Sequence, residues 1–326
     1  MFEEILKDKP TEQVTVLVDG DIIAYRSAAT CDGKAYTISG PPIFERYKKD
    51  AIRLCEEYGV DSSKLEVVYL PEPVENALHN VKNMMQSIQD AFPGCKMEVY
   101  LSSPKSFRKE EYPTYKSDRA KEKRPTHLDA CKEYMTRKYG ALIREGLEAD
   151  DCLSIRSCEL GAEGCVICTT DKDLKQIAGR HYNPVKCEHF VVSGDEAERN
   201  LWIQVLMGDK TDSIMGIWGM GSKTAEKIIG SVEDGEYWKT GVKEYVKAEL
   251  KLYPDKDYPS RETLLRNAVA KMLESIRLVS LLILEEHKGD VETRRQIEEE
   301  VEDYMEVNEI FPKEYLDWES TQKKKS

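Results

Sequence analysis

The chain has 326 residues and a mass of 37.4 kDa, with 40% hydrophobic and 33% charged residues and a net charge of −13. That length fits one large domain or two apposed ones, and the balance excludes a disordered chain. No run approaches about 18 apolar residues, the opening MFEEILKDKP lacks a basic segment followed by an apolar one, and nine is an odd number of cysteines. The expectation is a cytoplasmic protein with reduced thiols and no membrane partner.

Residues 14–18 (VTVLV) form a β-branched run that reads as a buried strand ending at Asp19-Gly20-Asp21. Phe44, Tyr47, Ala51, Leu54, Cys55 and Tyr58 recur at helical spacing, and residues 65–70 read as a second strand. Val74, Ala77, Leu78, Val81, Met85, Ile88 and Phe92 mark a long amphipathic helix. Residues 97–101 and 165–169 read as further strands, the last of them parallel. The alternation predicts an α/β fold, a mostly parallel central sheet flanked by helices, over about residues 1–195. Strand signals then fade. Residues 199–207 and 263–284 read as helices on either side of a glycine-rich stretch, so a helical module is expected over 196–290. Residues 291–326 are expected as an acidic, solvated helix with a frayed lysine tail.

In an open parallel sheet, ligands bind beyond the carboxyl ends of the strands. Asp19 and Asp21 follow the first strand, and Asp171 and Asp173, in TTDKD, follow the strand at 165–169. Each pair skips one residue, so both carboxylates can face one opening. Glu148, Asp150 and Asp151, in LEADD, open a predicted helix on which Glu148 and Asp151 share a face. Asp209 and Asp212, in GDKTD, are spaced i and i+3. Any one of these groups is ordinary turn or N-cap chemistry. Their convergence would not be. Two charges about 4 Å apart repel by roughly 4 kcal/mol at an effective dielectric of 20, so such a cleft needs divalent cations or shared protons. All-oxygen ligands indicate Mg²⁺ or Mn²⁺ rather than Zn²⁺. Two such ions about 3.5–4 Å apart drive in-line attack of water on a phosphodiester. The chemistry expected is phosphodiester hydrolysis.

Two stretches could grip nucleic acid despite the net acidity. Residues 105–124 (KSFRKEEYPTYKSDRAKEKR) hold eight basic against four acidic residues, interleaved with Phe107, Tyr112 and Tyr115. Basic groups beside aromatic faces suit a nucleic-acid strand, through counterion release and stacking. In GIWGMGSKTAEKII, Gly216, Gly219 and Gly221 free the backbone to approach phosphates. The helix opened by Ser222, Lys223 and Thr224 aims its N–H groups at them. GMGSKT is superficially similar to a nucleotide-binding P-loop but has Ile217 where that motif needs glycine.

Together these motifs resemble the flap-endonuclease and 5'-3' exonuclease superfamily: VDGD near the start, EADD, TTDKD after a strand, and GDKTDSIMGIWGMGSKTA. The resemblance spans about residues 14–230 and is closest to bacteriophage-encoded 5'-3' exonucleases. It implies a PIN-like 5'-nuclease core, a basic arch at about 104–126 and a helix-three-turn-helix at about 205–230. It further implies that Asp19, Glu148, Asp150, Asp151, Asp171, Asp173, Asp209 and Asp212 hold two Mg²⁺ or Mn²⁺ ions, with Asp21 a carboxylate many relatives lack. Lys116 and Arg119 would contact the scissile phosphate, Tyr112 or Tyr115 would stack on a terminal base, and Lys121 and Arg124 would add strand contacts. The turn from Gly216 to Thr224 would hold duplex backbone, with K⁺ on its carbonyls as in some relatives. The implied partner is double-stranded DNA with a 5' end or flap, or an RNA–DNA hybrid. It would be met by a monomer in phage DNA replication or host DNA degradation, in the cytoplasm of the bacterial host. The sequence departs from the family in one place. An Asp expected after the strand preceding the arch is replaced by Ser102-Ser103-Pro104, so either a water held by Ser103 takes over that contact or one ion is held more weakly.

Cys165-Val-Ile-Cys168 could suggest zinc, but residues three apart on a strand face opposite ways, and buried thiols are the better reading. His127, His181 and His189 have no nucleophile motif beside them. A catalytically weak DNA-binding protein of the same fold is the alternative class, and an RNA-degrading PIN-type nuclease a narrower one. The carboxylate set favours the enzyme, because a pure binder gains nothing from negative charge beside phosphate.

Overall fold

The computed structural model describes residues 14–38, 43–121, 123–232, 235–281 and 293–323; of 120, 121 and 293–298 only the backbone is described. Strand β1 (Thr15–Asp19) is buried along its whole length, as its apolar, β-branched sequence requires of a central strand. It runs directly into helix α1 (Gly20–Ala29), whose N-cap is Asp19: its Oδ1 accepts the Ile22 N–H at 3.2 Å. Gly20 is required at this join, since a Cβ there would lie 2.6 Å from the Tyr100 carbonyl oxygen.

A side sheet follows, made of β2 (Asp32–Ile38), β3 (Ile43–Glu45) and β4 (Glu66–Pro71), antiparallel in the order β3-β2-β4. Helix α2 (Lys48–Glu57) backs it through Ile38, Ile43, Ala51 and Cys55. Two expectations are corrected. Phe44 belongs to a strand rather than to the helix, and the strand expected at 65–70 pairs in this side sheet, away from the parallel one.

The main sheet adds β5 (Lys96–Tyr100), β6 (Cys165–Cys168), β7 (Gly179–Asn183) and β8 (Glu188–Val192) in the order β5-β1-β6-β7-β8. It is parallel except for the β7–β8 hairpin. Helix α3 (Val74–Ala91) precedes β5; α4 (Phe107–Glu111), α5 (Leu128–Tyr139) and α6 (Ala149–Leu160) separate β5 from β6. Helices α1, α3 and α5 cover one face of the sheet and α6 the other. Cys165 and Cys168 fall one in each of these two cores, as the alternation of a strand dictates. This is the α/β fold with a mostly parallel central sheet that the alternation predicted.

Helix α7 (Gly194–Met207) leads into a short ribbon, β9 (Gly208–Asp209) and β10 (Ile214–Met215). Helices α8 (Ser222–Gly230), α9 (Tyr237–Leu250) and α10 (Arg261–Val279) follow, then α11 (Thr293–Tyr304) and α12 (Lys313–Lys323). They share one core with α7, built on Trp202, Val246, Leu265 and Met272. The acidic end of the chain is not a solvated appendage. Ile310, Phe311 and Tyr315 are buried in that core, Phe311 and Tyr315 stack at 5.3 Å, and Glu319 pairs with Arg261 at 2.7 Å. The final lysines at 324 and 325, and the 282–284 end of the expected helix, lie outside the described residues. Among the described residues, no helix is long and apolar enough to cross a membrane.

Candidate active site

The carboxyl ends of β1 and β6 open into a cavity of about 260 Å³ lined by Asp19, Asp21, Glu148, Asp150, Asp171, Asp173 and Asp212. Asp209 lines a smaller adjoining cleft that shares Glu148, Asp150, Asp173 and Asp212. A hydrogen-bonded chain ties the two strand ends together. Thr169 Oγ1 donates to Asp19 Oδ2 at 2.8 Å and accepts the Asp171 N–H at 3.0 Å. Asp171 Oδ1 accepts the Asp173 N–H at 2.9 Å, and Gln204 of α7 donates to Asp173 Oδ1 at 2.9 Å.

Glu148 caps the N-terminus of α6 and receives the Tyr115 hydroxyl at 2.8 Å and the Lys116 ammonium at 2.6 Å. Arg119 pairs with Asp212, and Lys132 of α5 lies 2.6 Å from Asp21 Oδ1. Three side-chain cations thus face the carboxylates from α5 and from the arch.

Burial, then the neighbouring Asp21, pushes the Asp19 carboxyl up to about 7. Burial, then Asp171, takes Asp173 to about 6. Asp150 is driven well above the carboxylate range by burial and by Asp19 and Asp171. Glu148 goes the other way: burial would raise it, but Lys116 and Arg108 hold it below its ordinary value. Among the described residues, no three His, Cys, Asp or Glu side chains are gathered about one point as a formed metal centre. The donor set still fits divalent cations. It is all oxygen, and the raised carboxyls of Asp19, Asp150 and Asp173 are groups whose ionisation a bound cation would favour.

Of the residues expected in the site, Asp151 does not join. It is wholly buried on the far side of α6, where both of its oxygens bind Arg108, at 2.6 and 2.8 Å. The 100° between successive helical residues sends Asp150 to the cavity and Asp151 into the core. Tyr115 is also corrected: at 3% exposure, with its hydroxyl on Glu148, it has no free face for a base. Tyr112 is half-buried against the helical core. Arg124 is exposed and paired with Asp129 at 2.5 Å, and the side chain of Lys121 lies outside the described residues. Ser103 turns its hydroxyl to the Lys105 and Gly146 N–H groups. The neighbouring Ser102 faces the cavity, and its N–H donates to Asp21 Oδ2 at 3.1 Å. Asp21 therefore brings a carboxylate to the end of β5, where the sequence lacks one.

Residues 72–201 match the family model described as the 5'-3' exonuclease N-terminal, resolvase-like domain. The chain is 28% identical over 242 residues to a 5'-3' exonuclease of Aquifex aeolicus, covering 64% of this chain and 84% of that one. It is likewise 28% identical over 179 residues to the thermostable DNA polymerase I of Thermus thermophilus, covering 50% of this chain. The match spans only 22% of that polymerase's length. In fold it is similar to T5 5'-exonuclease with bound zinc ions, at a TM-score of 0.51 and 16% identity, over 90% of this chain and 99% of that one. A T5 flap endonuclease in a product complex with DNA and metal ions gives a TM-score of 0.50 at 16% identity, over 91% and 99% of the two chains.

The exonuclease-domain match begins after the side sheet and ends within α7, so Asp19, Asp21 and the glycine-rich turn lie outside it. In that turn Gly216 serves packing. A Cβ there would collide with the backbone of Gly208 and Met207, which closes the β9–β10 ribbon onto α7. Gly219, at φ 79°, and Gly221, the N-cap of α8, lie in open space, and Ser222, Lys223 and Thr224 are exposed beside them. Trp218 on the same turn is 87% exposed. Sequence reasoning missed Thr169, Gln204, Lys132 and Tyr25, which all touch the site or line its cavity. Tyr25 carried a signal, one helical turn after Asp21, and Thr169 lies within TTDKD; Lys132, on a helix with no motif residue, carried none.

Proposed function

We propose that the protein is a metal-dependent 5'-nuclease that hydrolyses DNA phosphodiesters from a 5' end or flap. The reading rests on one observation above others: seven carboxylates surround a single cavity at the ends of two parallel strands, with Lys116 and Arg119 over it. The Aquifex relative is named a 5'-3' exonuclease, and the T5 structures are described with DNA and with divalent ions.

Asp19, Glu148, Asp150, Asp171, Asp173, Asp209 and Asp212 would hold two Mg²⁺ or Mn²⁺ ions, with Asp21 beside them. Such ions supply positive charge against the phosphate and the acidity needed to ionise an attacking water. Thr169 and Gln204 hold Asp19 and Asp173 in place behind such ions, while Glu148 and Asp212 must first exchange their basic partners. Lys116 and Arg119 would leave Glu148 and Asp212 to neutralise the scissile phosphate. Tyr25, half exposed at the cavity, offers its ring to the terminal base in place of Tyr115. The N-terminus of α8, with Lys223 and the flanking Trp218, would rest on duplex backbone as a helix-three-turn-helix, with K⁺ on its carbonyls.

In this reading residues 1–195 are the catalytic core, 104–126 its arch, and the helices from 196 onward the duplex-gripping module. RNA–DNA hybrids are further substrates, the working form is a monomer, and the setting is phage replication or host DNA degradation. The test is a product-length time course on 5'-labelled duplex and 5'-flap DNA with Mg²⁺ and with EDTA. Mg²⁺-dependent short 5' products are expected; binding without cleavage would leave only a DNA-binding protein.

A further inference from the structure

The side sheet of β2, β3 and β4 precedes the matched residues and takes no part in the carboxylate site. Its end nearest the arch is a layered surface of cations and rings. Lys34 and Tyr69 face each other across β2 and β4, with the Lys34 ammonium 5.6 Å from the Tyr69 ring centre. Lys123, on the returning leg of the arch, lies 3.2 Å from the same centre.

That leg is fastened to the sheet. Asp32 Oδ2 accepts the Thr126 N–H at 3.0 Å and lies 3.8 Å from Lys123 Nζ, and His127 Nε2 lies 2.6 Å from the Glu72 carbonyl oxygen. Arch and sheet therefore present one continuous surface. At the start of α2, which packs on the Lys34 side of the sheet, Tyr47 is more than half exposed, Lys49 lies 6.0 Å from its ring centre, and Arg46 and Lys48 are exposed beside it. Glu45, Glu66 and Asp32 are the acidic side chains of these three strands, and Asp32 is already engaged with the arch.

The chemistry selects the occupant. An apolar protein face laid on these rings would strip water from the lysines beside them without giving them a partner. A single strand of nucleic acid meets both needs at once, with bases for the rings and phosphates for the ammonium groups. We propose that this surface binds single-stranded nucleic acid, and specifically the 5' strand that has passed the arch. The second half of that statement rests on the 5'-nuclease reading.

The experiment is fluorescence anisotropy in EDTA, with one duplex carrying a 5' oligothymidine tail of about five or about twenty nucleotides, enough for one or several stacked bases. The unaltered protein should bind the long tail about ten-fold more tightly than the short one, the effect of one or two stacked bases. Lys34→Glu and Tyr69→Ala should each lose most of that gain and leave the short-tailed affinity unchanged. Lys34→Glu alters an exposed side chain, so it decides the matter if Tyr69→Ala fails to fold. Affinity independent of tail length, or a gain that survives Lys34→Glu, overturns the proposal. If the short-tailed duplex is not bound at all, the 5'-nuclease reading fails. Binding of free oligothymidine, lost in Lys34→Glu, would then still uphold the sheet as a single-strand surface, and its absence would reject it.

Discussion

Lys116 Nζ lies 2.6 Å from Glu148 Oε1 and 3.6 Å from Asp212 Oδ2, so one ammonium joins the α/β core to the ribbon that opens the helical module. Its backbone N–H donates to the Asp212 carbonyl at 2.7 Å, and its φ of 54° is an uncommon conformation for a residue with a Cβ. Several contacts therefore hold Lys116 in place as an internal counter-ion of the carboxylates.

A divalent cation must compete with that ammonium for Glu148 and Asp212. Lys116→Met is expected to bind Mn²⁺ several-fold more tightly in a calorimetric titration, because the like-charged competitor is gone. Cleavage in single turnover should nevertheless fall by about 10²–10³-fold, as for loss of one electrostatic donor at a reacting phosphate. Unchanged or weaker Mn²⁺ binding would show that Lys116 does not compete.

Asp171→Ala should abolish turnover while sparing duplex binding, since it removes a carboxylate from a cavity that no residue of the glycine-rich turn lines. Thr169→Val probes the layer behind it. Without the hydroxyl, Asp19 loses its 2.8 Å donor and the Asp171 N–H its acceptor. Metal affinity should drop by about 10–100-fold with little change in overall fold, read by calorimetry and circular dichroism. Full affinity in Thr169→Val would assign the hydroxyl a purely structural role.

Arg108 is 3% exposed and binds Asp151 through two hydrogen bonds and the Ser280 carbonyl at 2.6 Å. Arg108→Met leaves the Asp151 charge buried without its guanidinium counter-ion and should cost about 3–5 kcal/mol in urea unfolding. Adding Asp151→Leu should recover much of the loss. A double variant no more stable than the single one would mean that packing, rather than charge, holds this joint.

The cavity carboxyls set a pH dependence. Asp19 is raised from 3.8 to about 7 and Asp173 from 3.8 to about 6. Between about pH 4 and pH 7 the folded chain thus binds more protons than the unfolded one, so stability falls as pH rises through this window. The metal-free protein should show a Tm that declines from about pH 5 to about pH 8, less steeply in Asp19→Asn and nearly flat with saturating Mg²⁺. A Tm rising across that window would contradict the assignment.

What was legible in the sequence were strands whose neighbours bury both faces. Residues 14–18, 97–101 and 165–169 announce themselves as apolar runs, and the paired aspartates follow them directly. The polar, Gly- and His-containing strands β2, β7 and β8 gave no such run and were not anticipated. Asp150 and Asp151 were indistinguishable as letters. Their separation depends on which face of α6 meets Arg108, a partner 43 residues away. Tyr115 and Arg108 looked like arch residues aimed at solvent, yet both are buried, because the arch packs down onto α6 and the helical core. The acidic C-terminus hid Ile310, Phe311 and Tyr315 behind the charges of its outer face.

The close approach of Gly208 to Gly216 has a geometric consequence. It fuses the β9–β10 ribbon to the end of α7, so Asp209 and Asp212 and the exposed turn at Gly219–Lys223 sit on one inextensible strip of backbone. Whatever the turn holds is held at a set distance from those carboxylates. In the 5'-nuclease reading proposed above, the strip would act as a ruler that sets where along a bound strand the cut falls.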